Sequence, residues 1–126
     1  MYKRQYLATA DVEYFIIINL YGGPGSAINS KDTNFAAYND RDSLWVLQNY
    51  GYTANSVNFI NGINSAIIKA QPQTSFGAYL NYVDPTYDAA TAHKLYYGDA
   101  VYSRLAALKK QIDPQPVFWH PQAIGT

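Results

Sequence analysis

The sequence predicts an α+β fold, with helices covering one face of an antiparallel sheet. Three observations carry that expectation. Short runs rich in β-branched and aromatic residues recur at Glu13–Leu20, Asp42–Tyr52 and Ser75–Val83. Two longer stretches, 56–70 and 88–111, repeat apolar residues at helical spacing. The links between them vary too much for a regular parallel βαβ series.

Taken in order, Glu13–Leu20 reads as a buried strand built on Ile16-Ile17-Ile18. Gly22-Gly23-Pro24-Gly25 ends it, because Gly frees the backbone and Pro removes a donor. Residues 26–41 are polar and mixed, as in a connection crossing the surface. In the second strand, alternation puts Leu44, Val46 and Gln48 on one face and Trp45, Leu47 and Asn49 on the other. Asn55 or Ser56 caps a helix carrying Val57, Ile60, Ile63 and Ile67, which Gln71-Pro72 stops. Ser75–Val83 is the third strand, closed by a turn at Asp84-Pro85. The long helix that follows runs to Gln111. Gly98 in its middle marks a break or a close packing contact, and Asp113-Pro114 ends it. Val117–His120 then forms a short docking segment.

Composition excludes several function classes. Nine basic and nine acidic residues cancel, leaving no footprint for nucleic acid or an anionic membrane surface. The longest strongly apolar run, Tyr14–Ile18, is far short of the roughly 20 residues a membrane span needs. With no Cys, the chain has no disulfide framework and no thiol nucleophile. Hydrophobic residues at 48% against 14% charged argue for a folded chain. His93 and His120 stand far apart without a second ligand at metal spacing, so no metal site is expected; His93, beside Lys94, reads as a solvated helix residue.

Thirteen Tyr are the anomaly. Phenols stack on sugar faces, hydrogen-bond polar substrates and act as general bases when their surroundings lower the pKa. Tyr79 and Tyr82, three apart, would point to opposite sides of a regular strand. Both reach one site only if that strand bends or ends. Asn19, Gln48 and Asn81 are amides at strand positions, and together they suggest a polar lining on one sheet face. Core packing for the Tyr and structural hydrogen bonds for the amides account for the same pattern.

A family resemblance narrows this. Asn81-Tyr82-Val83-Asp84 is followed by Tyr96-Tyr97-Gly98 and Tyr102-Ser103-Arg104-Leu105. Lys109, Asp113-Pro114, Phe118 and Pro121-Gln122 complete the series. In order and spacing it resembles the C-terminal module of the berberine bridge enzyme-like FAD-linked oxidoreductases. Upstream, Leu20–Gly23, Ser26–Ile28, Ala37-Tyr38, Arg41-Asp42 and Trp45–Gln48 resemble the substrate domain of the same enzymes. The similarity is greatest to fungal oligosaccharide oxidases of the vanillyl-alcohol-oxidase type.

The resemblance implies a partition: a fragment edge at 1–12, a partial substrate-binding domain at 13–78 and the berberine-like module at 79–124. It implies FAD as cofactor, bound mainly by an N-terminal flavin domain outside this chain, and a secreted protein. It implies Tyr82 as the catalytic base, Tyr79, Gln48 and Asn19 at the substrate, and Asn81 near the flavin ring. Asn19 departs from the family pattern, since oligosaccharide oxidases have an Asp there and an amide cannot supply its charge. The implied reaction removes hydride from an alcohol or hemiacetal of an oligosaccharide or secondary metabolite, with oxygen as acceptor; the fragment alone is expected to be inactive. The alternative is a free-standing carbohydrate-binding module using Tyr79, Tyr82, Trp45 and Gln48 without redox chemistry. The fragment reading carries one structural expectation: apolar side chains around 79–82 and 114–122 left exposed.

Overall fold

Strand β1, Tyr14–Leu20, pairs antiparallel with β2, Trp45–Gly51, in the computed structural model, which describes residues 7, 8 and 10–125. A 3-10 turn at Ala54–Ser56 leads into helix α1, Val57–Ala70, and helix α2 spans Ala89–Ile112. The expected α+β class and antiparallel pairing are both present. These elements form two compact units. One joins the chain up to Leu20 with Trp45–Phe76; the other joins Tyr21–Leu44 with Gly77 onward.

In the first unit the ribbon is stabilised from one side. Tyr14, Ile16, Ile18, Leu47 and Asn49 share a face by register. That face meets α1, where Tyr14 packs on Phe59 at 5.2 Å between ring centroids and Asn49 Nδ2 donates to Asn64 Oδ1 at 2.8 Å. Ile63 is fully buried, as its place on the apolar stripe of α1 demands. Ser56 precedes α1 as expected, but its hydroxyl turns back to accept from the Thr53 N–H at 3.1 Å and does not cap the helix.

Two expectations are corrected by the rest of the structure. Ser75–Val83 is not a strand. The Ala78 N–H donates to the Leu95 carbonyl of α2 at 2.9 Å, and the Tyr82 N–H closes a turn on the Tyr79 carbonyl at 2.8 Å. Gly98 explains the first bond. Its φ of 63° interrupts α2, and Leu95 lies in the last turn before the interruption, where carbonyls lack intrahelical donors. Apolar alternation in 75–83 therefore reflects packing on a helix rather than a ladder. Gly98 is both the break and the close contact, since a Cβ there would lie 2.9 Å from Asn39 Oδ1.

Residues 26–41 form the expected surface connection, anchored within the second unit. Arg104 on α2 donates to Asn34 Oδ1 at 2.9 Å and to the Thr33 carbonyl, and Asp40 packs so tightly under Gly77 that a Cβ there would overlap its carboxylate. His93 is not solvated. It is buried, stacked on Tyr102 at 4.3 Å, and its Nε2 lies 3.1 Å from the Gln122 carbonyl oxygen and 3.0 Å from that of Ala123. Lys94 is exposed while His93, one position round the helix, faces the interior.

After α2, Asp113 organises the chain. Its carboxylate pairs with Lys109 and accepts from the Val117 N–H at 2.9 Å and the Phe118 N–H at 3.1 Å. Those bonds, the Lys109 one foremost, hold the carboxyl below the usual carboxylate range. A lowered folded value stabilises the fold above the unfolded pKa of about 4 and loses that contribution as pH falls through the folded value. Acidification below about pH 4 is accordingly expected to release residues 117–119, read as a change in Trp119 fluorescence. Asp113→Asn should abolish that acid transition; a transition of unchanged midpoint in the variant would refute the assignment.

Candidate active site

The turn at 79–82 does what a strand would not. It brings Tyr79 and Tyr82 edge to face, with centroids 4.9 Å apart at 85°. Asn81, exposed on the turn, donates from Nδ2 to the Tyr79 hydroxyl oxygen at 2.7 Å. It is therefore a turn residue, not a buried strand amide. Tyr82 is 39% exposed, so the residue belongs to an accessible surface.

Two further phenols join them, and periodicity gave no sign of either. Tyr21 and Tyr38 each present an edge-on ring to Tyr79 with centroids 6.1 Å apart. Burial, then the neighbouring Tyr82 side chain, push the Tyr21 phenol above its ordinary pKa; burial and then the Asp40 carboxylate do the same for Tyr38. Arg41 sits over the Tyr38 ring at 5.2 Å.

The loop after β1 fixes Tyr21. Its N–H and that of Gly22 both donate to the Leu44 carbonyl, at 2.9 and 3.1 Å, and Ser26 Oγ donates to the Tyr21 carbonyl at 2.8 Å. Gly22 is buried, and a Cβ there would overlap the Ser43 carbonyl oxygen and approach Asn29 Oδ1 at 2.7 Å. Gly22→Ala is expected to cost about 2–3 kcal/mol, because backbone rather than a flexible side chain must yield. A urea unfolding midpoint matching that of the parent would count against this. The Gly-rich loop is no phosphate cradle: the Gly23 N–H is already bonded to Asn29 Oδ1 at 2.7 Å.

Asn19 and Gln48 lie in the first unit. Register places Asn19 opposite Val46 and Gln48 opposite Ile17, so the two amides are diagonal neighbours on the ribbon face turned away from α1. Phe15 and Tyr50 stack on that face at 6.3 Å, and the Tyr50 hydroxyl donates to Gln48 Oε1 at 2.6 Å. The expected polar lining exists for these two amides; Asn81 belongs to the second unit.

Elsewhere in the second unit, a hollow lined by Ala90, His93, Gly98 and Tyr102 contains none of the expected site residues. Among the described residues no three His, Asp or Glu are grouped to hold a metal, and no helix is long and apolar enough to cross a membrane.

The segment that carries Tyr79, Asn81, Tyr82, α2 and the Asp113 turn is also the one that decides kinship: residues 78–125 match berberine and berberine-like proteins. Residues 78–125 are thus a berberine-like segment, and the chain is similar to the berberine-like FAD-linked oxidoreductases. The similarity extends over most of the chain. The chain is 35% identical over 118 residues to a carbohydrate oxidase of Microdochium nivale, covering 88% of this chain and 24% of that protein. A solved carbohydrate oxidase from Microdochium nivale, in complex with a substrate analogue, superposes with a TM-score of 0.78 at 34% identity over 92% of this chain and 26% of that one. A xylooligosaccharide oxidase from Myceliophthora thermophila, in complex with xylobiose, gives 0.84 at 29% identity over 97% of this chain and 28% of that one. The berberine-like chain thus spans about a quarter of the length of the relatives it matches.

Proposed function

We propose that this chain is the C-terminal part of a secreted FAD-dependent oxidase acting on an oligosaccharide. Hydride leaves a substrate alcohol or hemiacetal carbon for the flavin, and oxygen is the final acceptor. The partition into a partial substrate-binding domain at 13–78 and a berberine-like module at 79–124 belongs to the same proposal. The observation that supports it best is the exposed Tyr82 side chain in a four-tyrosine cluster, in a chain similar to carbohydrate oxidases.

The chain's own groups suit a ring more than a nucleotide. Exposed Tyr82 and Asn81 fit the edge of a planar heteroaromatic ring, whereas the Gly23 N–H, spent on Asn29, offers no diphosphate site. Bound flavin would supply the hydride acceptor. Tyr82 would take the substrate hydroxyl proton and Tyr79 would offer an aromatic face to the sugar; Gln48 and Asn19, on the other unit, keep the substrate role that the family resemblance implies. The exposed side chains Val117, Phe118 and Trp119 support this reading, whereas Tyr79 and Leu80 are half-buried and Gln122 is buried; the 126-residue chain alone is expected to be inactive. A free-standing carbohydrate-binding module is the weaker reading, because the relatives named above are oxidases.

The test is to purify the full-length protein, record its visible absorption and follow peroxide with a panel of oligosaccharides. A flavin spectrum with saccharide-dependent peroxide is the expected result. A flavin spectrum with no saccharide turned over would remove the substrate class, and no bound flavin would remove the oxidase reading.

A further inference from the structure

We infer that Arg104 is a positioning residue for the tyrosine site: its guanidinium latches residues 32–41 onto α2 and thereby holds Tyr38 edge-on against Tyr79. The inference rests on the proposed oxidase reading for its consequence, but the latch itself lies within the second unit alone.

Arg104 belongs to the Tyr102–Leu105 run that carries the family resemblance, and the proposed chemistry makes no use of it. Its side chain is exposed on α2 yet committed. Nη1 donates to Asn34 Oδ1 at 2.9 Å and Nη2 to the Thr33 carbonyl, across 70 and 71 positions of chain. Two adjacent acceptors suit a forked guanidinium and not a point-charge ammonium.

What Arg104 grips is a segment bonded to itself. Asp32 Oδ1 accepts from the Asn34 N–H at 2.9 Å and the Phe35 N–H at 3.0 Å. The Ala36 carbonyl accepts from the Tyr38 N–H at 2.7 Å and from Arg41 Nη2 at 3.2 Å, and the Arg41 guanidinium lies over the Tyr38 ring at 5.2 Å. The second half of the segment is seated by close packing: Asn39 occupies the space that a Cβ on Gly98 would need, and Asp40 that of Gly77. Arg104 supplies the matching tie for the first half. Tyr38 hangs between the two halves, 6.1 Å from Tyr79 at 80°, and Tyr79 stands 4.9 Å from Tyr82. Releasing residues 33–36 loosens the Ala36 carbonyl on which both Tyr38 and Arg41 depend, so the ring edge that steadies Tyr79 becomes mobile. An exposed latch of this kind adds little to global stability but sets the free energy of a local opening. Substrate binding at Tyr79 therefore suffers more than proton transfer at Tyr82.

The test compares Arg104→Ala, Arg104→Lys and Asn34→Ala in the full-length protein by two readouts. Amides of residues 33–41 are expected to exchange with deuterium about tenfold faster in Arg104→Ala. The saccharide KM is expected to rise about five- to tenfold, with kcat within about twofold and flavin content unchanged. Arg104→Lys should recover less than about half of that affinity, because it keeps the charge without the fork. Asn34→Ala should give a smaller rise, and none further when added to Arg104→Ala. Unchanged exchange at 33–41 would overturn the latch. Faster exchange with KM within twofold, full recovery in Arg104→Lys, or a kcat loss that follows flavin loss would overturn its action on the site. Should Arg104→Ala fail to fold, Asn34→Ala, altered on an exposed loop, carries both readouts. Should the full-length protein oxidise no saccharide, the oxidase reading fails while the exchange comparison still decides whether Arg104 holds the segment.

Discussion

Tyr82→Phe in the full-length protein is expected to cut kcat by about 10²–10⁴-fold while leaving flavin content unchanged and KM within a few-fold. The substitution removes one oxygen and little else. The ring that packs edge to face on Tyr79 remains, so the 79–82 turn keeps its aromatic contact, and the turn's own bond is between backbone groups. At 39% exposure, Tyr82 contributes little to the core, which separates a chemical loss from an unfolding loss. Tyr79→Phe is the contrast. It deletes the oxygen that accepts from Asn81 Nδ2 but leaves the sugar-stacking ring, and it is expected to raise KM more than it lowers kcat. Measuring both variants on one saccharide assigns the roles. Tyr82→Phe keeping half of parental turnover would remove Tyr82 as the base, and the two variants exchanging phenotypes would reverse the assignment.

What the sequence made legible follows from which interactions are local. β1, β2 and α1 are visible because alternation and 3.6-residue spacing record burial against a neighbour, and Tyr14, Phe59 and Ile63 do meet there. Ser75–Val83 misled because a segment packed on a helix through one backbone bond, Ala78 to Leu95, shows the same alternation as a ladder. The signal that would have corrected it was Gly98, whose break opens the Leu95 carbonyl. Tyr79 and Tyr82 meet, and the condition for their meeting is supplied by a turn. Tyr21 and Tyr38 were not legible, because what brings them to Tyr79 is long-range packing, with 58 and 41 positions of chain between them and their partner. His93 was misread for the same reason: its partners, Gln122 and Ala123, lie 29 and 30 residues away.

His93 is where the largest loss of stability is expected. The imidazole joins α2 to the chain end, with Nε2 between the Gln122 and Ala123 carbonyl oxygens and its ring stacked on Tyr102 at a 20° tilt. Two acceptors at one nitrogen fix that nitrogen as the donor, since oxygen lone pairs cannot bond one another. Gln122 extends the tie, donating from Nε2 to the Asp84 and Tyr87 carbonyls at 2.8 Å each. Residues 84–87, α2 and the chain end are thus held by one buried polar network, in which losing a member strands the others. His93→Ala removes the ring, leaves a void against Tyr102 and orphans two buried carbonyls, at a cost of about 3 kcal/mol. His93→Phe keeps the stack and the volume but not the N–H, at a cost of about 1–2 kcal/mol. Urea unfolding of the full-length protein gives the ranking, and hydrogen exchange at Ala123 and Gln122 gives the location. Faster exchange confined to 120–125 in both variants is the expected pattern. Equal stability of His93→Ala and the parent would mean that the chain end is held without the imidazole, by ties such as those of Gln122 and the Gly125 N–H to Tyr102.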